Sequence, residues 1–220
     1  ALWLSGLCWC VMFTAFMVAI TLTTVANVLV TMALAPLLTA LIARIALGHR
    51  LAPRTWGAIV LAGVGIAWMY GQELQGGKHL VGTIVALAVP VAAAVNWTLI
   101  QSLRGKSQAP DMLPAVLIGA LLSAAVMLPL AWPLRASLHD IGLLSMLGVV
   151  QLAVPCLLSV VVARTLPAPE MSLLALLEVI FGVAWAWLGA NEAPTAAVLA
   201  GGALVLVALA GNELLALRSR

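Results

Sequence analysis

Six residues carry most of the chemistry this sequence could perform, and the most telling is Glu178. It stands in the run Leu177-Glu178-Val179-Ile180-Phe181, and no Lys or Arg occurs between Arg164 and Arg218. A carboxylate well inside a membrane span costs at least ~2.5 kcal/mol on insertion scales, so it is ordinarily turned to a bundle interior or a water-filled path. There it either contacts a substrate ammonium or takes up a proton; the structural alternative is a protonated or paired Glu that ties two helices together. Asn27, Asn96 and Gln151 are amides in other apolar runs. Such side chains hydrogen-bond across helices, at ~0.6 kcal/mol each, or line a cavity. Their spread over separate segments is what a central cavity would require. Trp97, next to Asn96, and Trp9 lie deeper in their runs than the other indoles and could stack on an aromatic or apolar substrate. Taken singly, each is better explained by packing against lipid. Gln101 reads as interfacial.

No catalytic constellation accompanies them. There is no Gly-rich phosphate loop and no paired His with metal-ligand spacing, since His49, His79 and His139 fall in loops on unrelated segments. Neither an enzyme activity, a cofactor nor a metal is expected. Glu170 follows Pro167 and Pro169 and reads as a charge favourable at a helix start. Glu73, Asp111, Asp140 and Glu192 read as solvated turn residues.

Composition decides where these residues must work. The chain has 220 residues, 65% hydrophobic and only 8% charged, against about a quarter charged in a soluble domain. Mean hydropathy is +1.19. The first charged residue is Arg44, and the neutral stretch before it is about twice as long, as one helix, as the ~30 Å hydrocarbon layer. It must fold back, and Thr21, Thr23 and Thr24 mark the turn. The chain is therefore expected to be an all-α, polytopic membrane helix bundle, with the lipid bilayer as its surroundings and no nucleic-acid partner. Cys8, Cys10 and Cys156 lie in apolar runs and read as packing residues rather than a disulfide framework.

About eight spans position the candidates: 3 to 20, 25 to 47, 55 to 71, 81 to 103, 113 to 133, 142 to 163, 170 to 189 and 196 to 216. Counted on alternate sides, Arg44, Arg50, Arg54, Arg104, Lys106, Arg164, Arg218 and Arg220 face Lys78 and Arg135. This bias places the C-terminus in the cytoplasm. Trp3, Trp56, Trp68 and Trp132 fit the aromatic interface belt. Pro36, Pro90 and Pro155 lie within spans, where each removes a backbone hydrogen bond and favours a kink. Gly57, Gly63, Gly65, Gly201 and Gly202 are expected to allow close packing in the hairpins that close each repeat.

A repeat is visible in the sequence. Leu34 to Ile66 and Leu177 to Ala208 each run apolar to a Gly, pass a polar corner (Gly48-His49-Arg50; Gly189-Ala190-Asn191-Glu192) and a Pro (Pro53; Pro194), and resume as an apolar run. Two helices and a tight turn have been used twice. The first copy runs from outside to inside and the second from inside to outside, so the units, residues 1–71 with three helices and 80–217 with five, are expected to be inverted repeats. That is the usual plan of secondary transporters, with a site near the midplane.

These residues resemble the drug/metabolite transporter superfamily, in particular its ten-helix EamA-type members. The matching positions are Leu177 to Phe181, Leu188 to Glu192 and Gly201-Gly202, with Ala35-Pro36-Leu37 and Gly48-His49-Arg50 in the first unit. His49 stands where such proteins commonly have Glu, and Asn191 where Gly is usual. The resemblance implies two further helices before Ala1, a bacterial inner (cytoplasmic) membrane, and a small-molecule substrate, with amino acids and related metabolites most consistent with the family. It implies alternating access about a substrate-binding site for which Trp9, Asn27, Asn96, Trp97, Gln151 and Glu178 are the candidates. A monomer or a homodimer is compatible with it. The alternatives are a flippase for lipid or lipid-linked sugar, and a membrane scaffold subunit that transports nothing.

Overall fold

A computed structural model describes residues 1–48, 51–76, 80–103, 111–162 and 168–218, with the side chains of 72–76, 168–176 and 217 left undescribed. His49, Arg50, Lys78, His79, Arg104, Lys106, Arg164, Pro167 and Arg220, and the side chains of Glu73 and Glu170, lie outside the described residues. Everything regular among those described is helical. The helices are α1 (Leu2–Leu22), α2 (Val25–Met32), α3 (Ala35–Leu47), α4 (Pro53–Gly76), α5 (Leu80–Leu103), α6 (Leu113–Met127), α7 (Leu138–Met146), α8 (Val154–Val162), α9 (Ala168–Ala190) and α10 (Ala196–Arg218). A π-helical stretch, Leu147–Ala153, joins α7 to α8. Among the described residues, five segments are long and apolar enough to cross a membrane: Leu2–Leu22, Val25–Leu47, Leu80–Leu103, Leu138–Val162 and Ala196–Ala216. Large apolar side chains point outward, Leu138 being 89% exposed and Trp3 68%, as lipid-facing surface requires.

Local signals explain most boundaries. α1 stops at Thr23, which is extended, and Thr24 caps α2 by accepting from the Asn27 N–H at 3.3 Å. Gly48 ends α3 in the left-handed region at φ 70°, where a Cβ would be strained. Ser137 and Asp140 form a reciprocal capping box that starts α7 at Leu138. The fifth span was expected to run to 133, but its helix ends at Met127. Pro129 and Pro133 follow and cannot continue the ladder.

Two spans are interrupted near mid-length. Pro36 cannot donate to the Met32 carbonyl and its ring crowds that turn. Val25–Leu47 accordingly breaks at Ala33 and Leu34, with Leu34 N–H reaching back only to Thr31 O at 3.1 Å. In Leu138–Val162 the π stretch ends two residues before Pro155, absorbing the donor that proline lacks. Pro90, by contrast, lies inside a continuous α5.

Packing interlocks the two expected units rather than separating them. α1 runs antiparallel to α5 and parallel to α6, and α4 lies antiparallel along α10. Small residues make both seams close. A Cβ on Gly119 would collide with Trp9, and one on Gly65 would lie 2.7 Å from the Gly201 carbonyl. Gly57 and Gly63 meet open space. The glycine contact expected within each closing hairpin is thus made between α4 and α10, one helix from each unit. The α4–α10 seam, with α2, forms one buried cluster around Met69, Val205 and Leu209; a second surrounds Trp9 and Phe13 on α1, and a third joins Ala19, Val28 and Ala86. Met32, at the helix break, packs against all three.

Candidate functional site

The break at Ala33 and Leu34 sits where the core clusters meet, and polar groups flank it on both sides along the bundle. Towards the N-terminal end of α1, the Ser5 hydroxyl donates to Asn96 Oδ1 at 2.6 Å across the α1–α5 seam. Both residues are fully buried, and the Asn96 amide nitrogen has no hydrogen-bond partner among the described residues. Trp9 is one helical turn beyond Ser5. Its ring meets Trp97 edge-on at 6.2 Å and Phe13 at 5.4 Å, and its buried indole N–H also lacks an acceptor among the described residues. Buried donors without partners cost free energy in a membrane interior, so this aromatic pair and amide are suited to a group carrying a hydrogen-bond acceptor.

On the other side of the break, Asn27 is 2% exposed and its amide donates to the Thr23 hydroxyl at 2.8 Å. Thr31 donates to the Asn27 carbonyl at 2.7 Å and lies 3.2 Å from the Tyr70 hydroxyl, which in turn donates to the Thr83 carbonyl at 3.3 Å. This chain of hydroxyls joins α2, α4 and α5. Thr23 packs on Gly82, and the rise of α5 from Gly82 to Asn96 separates the two polar groups by about 20 Å.

Of the six candidates, the structure brings Trp9, Asn96 and Trp97 together. Asn27 belongs to the second group. Gln151 is exposed on the π stretch, which leaves it outside the packed core. Glu178 is exposed on α9 among the exposed Leu177, Ile180 and Phe181, within electrostatic reach of Cys156. Two open, largely apolar clefts of about 230 and 380 Å³ flank the second half of α1, the first against α6 and Leu152 of the π stretch, the second bordered by Val85 of α5 and Val126 of α6. Thr14 lines both and is hydrogen-bonded to Ser123 at 2.8 Å.

Besides Asp140 in its capping box, two carboxylates do more than sequence reasoning assigned them. Glu213, within the apolar run 196 to 216, is only 8% exposed and is a second acidic residue inside an expected span, in addition to Glu178. It accepts from Asn212 at 3.2 Å, beside the bond from Thr55 to Asn212 and that from Arg54 to the Leu215 carbonyl. Its place four residues from the end of an apolar run was the available signal. Glu192 is not simply a solvated turn residue, because its Oε2 accepts from the Val25 N–H at 3.0 Å. Nothing local in the sequence pairs residues so far apart. Among the described residues no group of His, Cys, Asp and Glu could hold a metal. No protein-family model and no curated protein matches the chain.

Proposed function

We propose that the chain is a multi-pass secondary transporter of the EamA type, moving small metabolites, amino acids or related compounds, by alternating access. The observation that carries this reading is the broken helix at the centre of the bundle. A membrane helix is interrupted only where protein or a water-filled path can take up the released backbone groups, and discontinuous helices are how secondary transporters build midplane sites. The break between α2 and α3 lies near the middle of its span and touches every core cluster. Substrate acceptor groups would be met by Asn96 and the Trp9 indole, with Trp97 stacking on the apolar part. Asn27 would close the opposite end, and Glu178 and Gln151 would enter from the exposed sides of α9 and the π stretch. A flippase is the second reading, favoured by the two open apolar clefts along α1.

Counterflow in proteoliposomes of the full-length protein, preloaded with a panel of unlabelled amino acids, tests the proposal. Transient accumulation of one labelled class is expected, abolished in Asn96→Leu and Glu178→Gln proteins that remain folded. No accumulation with any amino acid, together with scrambling of a fluorescent lipid in the same vesicles, would replace this reading by the second.

A further inference from the structure

We propose, building on the transport reading, that α2 is a gating half-helix and that Glu192 is the latch holding it closed. The first N–H groups of any helix have no partner within it. In α2 the Asn27 N–H is capped locally by Thr24, whereas the Val25 N–H is capped by Glu192, from the turn between α9 and α10. A carboxylate there also meets the positive end of the helix dipole.

Glu192 is held in place to do this. Asn191 adopts the left-handed conformation at φ 56°, and the Glu192 N–H returns to the Ala186 carbonyl at 3.2 Å. The same hairpin grips the body of α2 at two glycine notches. Leu29 fills the space a Cβ on Gly182 would need, at 2.5 Å, and Val30 fills that of Gly202, at 2.9 Å. The far end of α2 is the break at Ala33 and Leu34, beyond which α3 packs mainly on α5. A rigid eight-residue rod is thus hinged at one end and latched at the other.

The latch joins the two expected units on the side that the basic-residue count makes the outer one. Any motion that opens the path between those units there must break the bond to Val25 and lift Leu29 and Val30 from their notches. Glu192 is a positioning residue: it acts on a substrate only through α2.

Thiol accessibility in nanodiscs tests this without requiring transport. Ala26, 1% exposed on α2, and Ala62, fully buried in the α4–α10 seam, are each replaced by Cys in a full chain whose free Cys8, Cys10 and Cys156 are replaced by Ala. Labelling by a soluble maleimide is then compared with Glu192 intact and with Glu192→Ala. The expected result is slow labelling of Ala26→Cys with Glu192 present and a rise of about tenfold in its absence, the scale of a lost charge-assisted hydrogen bond. Glu192→Gln, which keeps an acceptor, should give a smaller rise, and Ala62→Cys should stay unreactive throughout. Equal rates with and without Glu192 would overturn the proposal, as would fast labelling of Ala26→Cys in the intact protein. So would a parallel rise at Ala62, which would make Glu192 a general prop. Failure of counterflow alongside the expected labelling would sink the transport reading and leave the latch standing.

Discussion

A methyl group at Gly201 has nowhere to go. It would lie 2.5 Å from the Gly65 carbonyl and 3.1 Å from Met69 Cβ, and a backbone carbonyl cannot turn aside as a flexible side chain can. Gly201→Val should therefore force α4 from α10 and destabilise the fold by about 1–3 kcal/mol. At Gly63 nothing lies within reach of an added Cβ, so Gly63→Ala should be neutral or stabilise the helix by up to about 1 kcal/mol. Thermal unfolding midpoints in micelles check both: a drop for the first and none for the second. Equal midpoints would mean that the close approach is not what holds the seam. Both glycines lie on apolar helices, and sequence alone treated them alike. Which one meets a neighbour depends on the face each helix turns inward, and that is decided by residues far along the chain. Asn191 stands where Gly is usual, and the structure gives the reason: its backbone is left-handed at φ 56°, a conformation that Asn tolerates.

At the scale of elements, the prolines divide by what surrounds them. Pro36 breaks its helix and the π stretch accommodates Pro155, while Pro90 sits inside an unbroken α5. If the break between α2 and α3 is a moving part, Pro36→Ala should join the two helices and fix them straight. A proline in a helix interior costs about 3 kcal/mol, so its removal could slow a step that needs the bend by up to about a hundredfold. The expected outcome is a folded protein with counterflow strongly reduced, while Pro90→Ala retains it. Undiminished counterflow in Pro36→Ala would make the break static. That the chain is helical was legible because its apolar runs are long, and the turn at Thr23 and Thr24 because hydroxyls interrupt one. The start of α7 was misplaced by four residues because the Ser137–Asp140 capping box went unread. Sequence marked all three prolines as kinks and could not rank them, since a missing donor bends a helix only where packing lets the released carbonyl find another environment.

For the whole molecule, what sequence could not supply is convergence. Asn96, Trp97 and Trp9 were recognisable as polar or aromatic residues at depth, but only the antiparallel pairing of α1 with α5 brings them together. Asn27 looked equivalent and lies in a different group. Orientation, in contrast, rests on a pattern the sequence carries whole. Contacts between α1 and α5, α1 and α6, and α4 and α10 have the directions that strict alternation across a membrane requires. Lys and Arg resist transfer through the bilayer, so the side holding eight of them should stay cytoplasmic and the side of Lys78 and Arg135 should not. A fluorescent protein fused after Arg220 should then fold and fluoresce in cells. Alkaline phosphatase fused after Ala136, in the irregular segment before α7, should be active. The opposite pair of readings would invert the whole bundle and put Glu192 on the cytoplasmic face, turning the proposed latch into an inner gate. Activity of both reporters at both sites would mean that the spans do not alternate at all, and the inverted-repeat reading would fall with them.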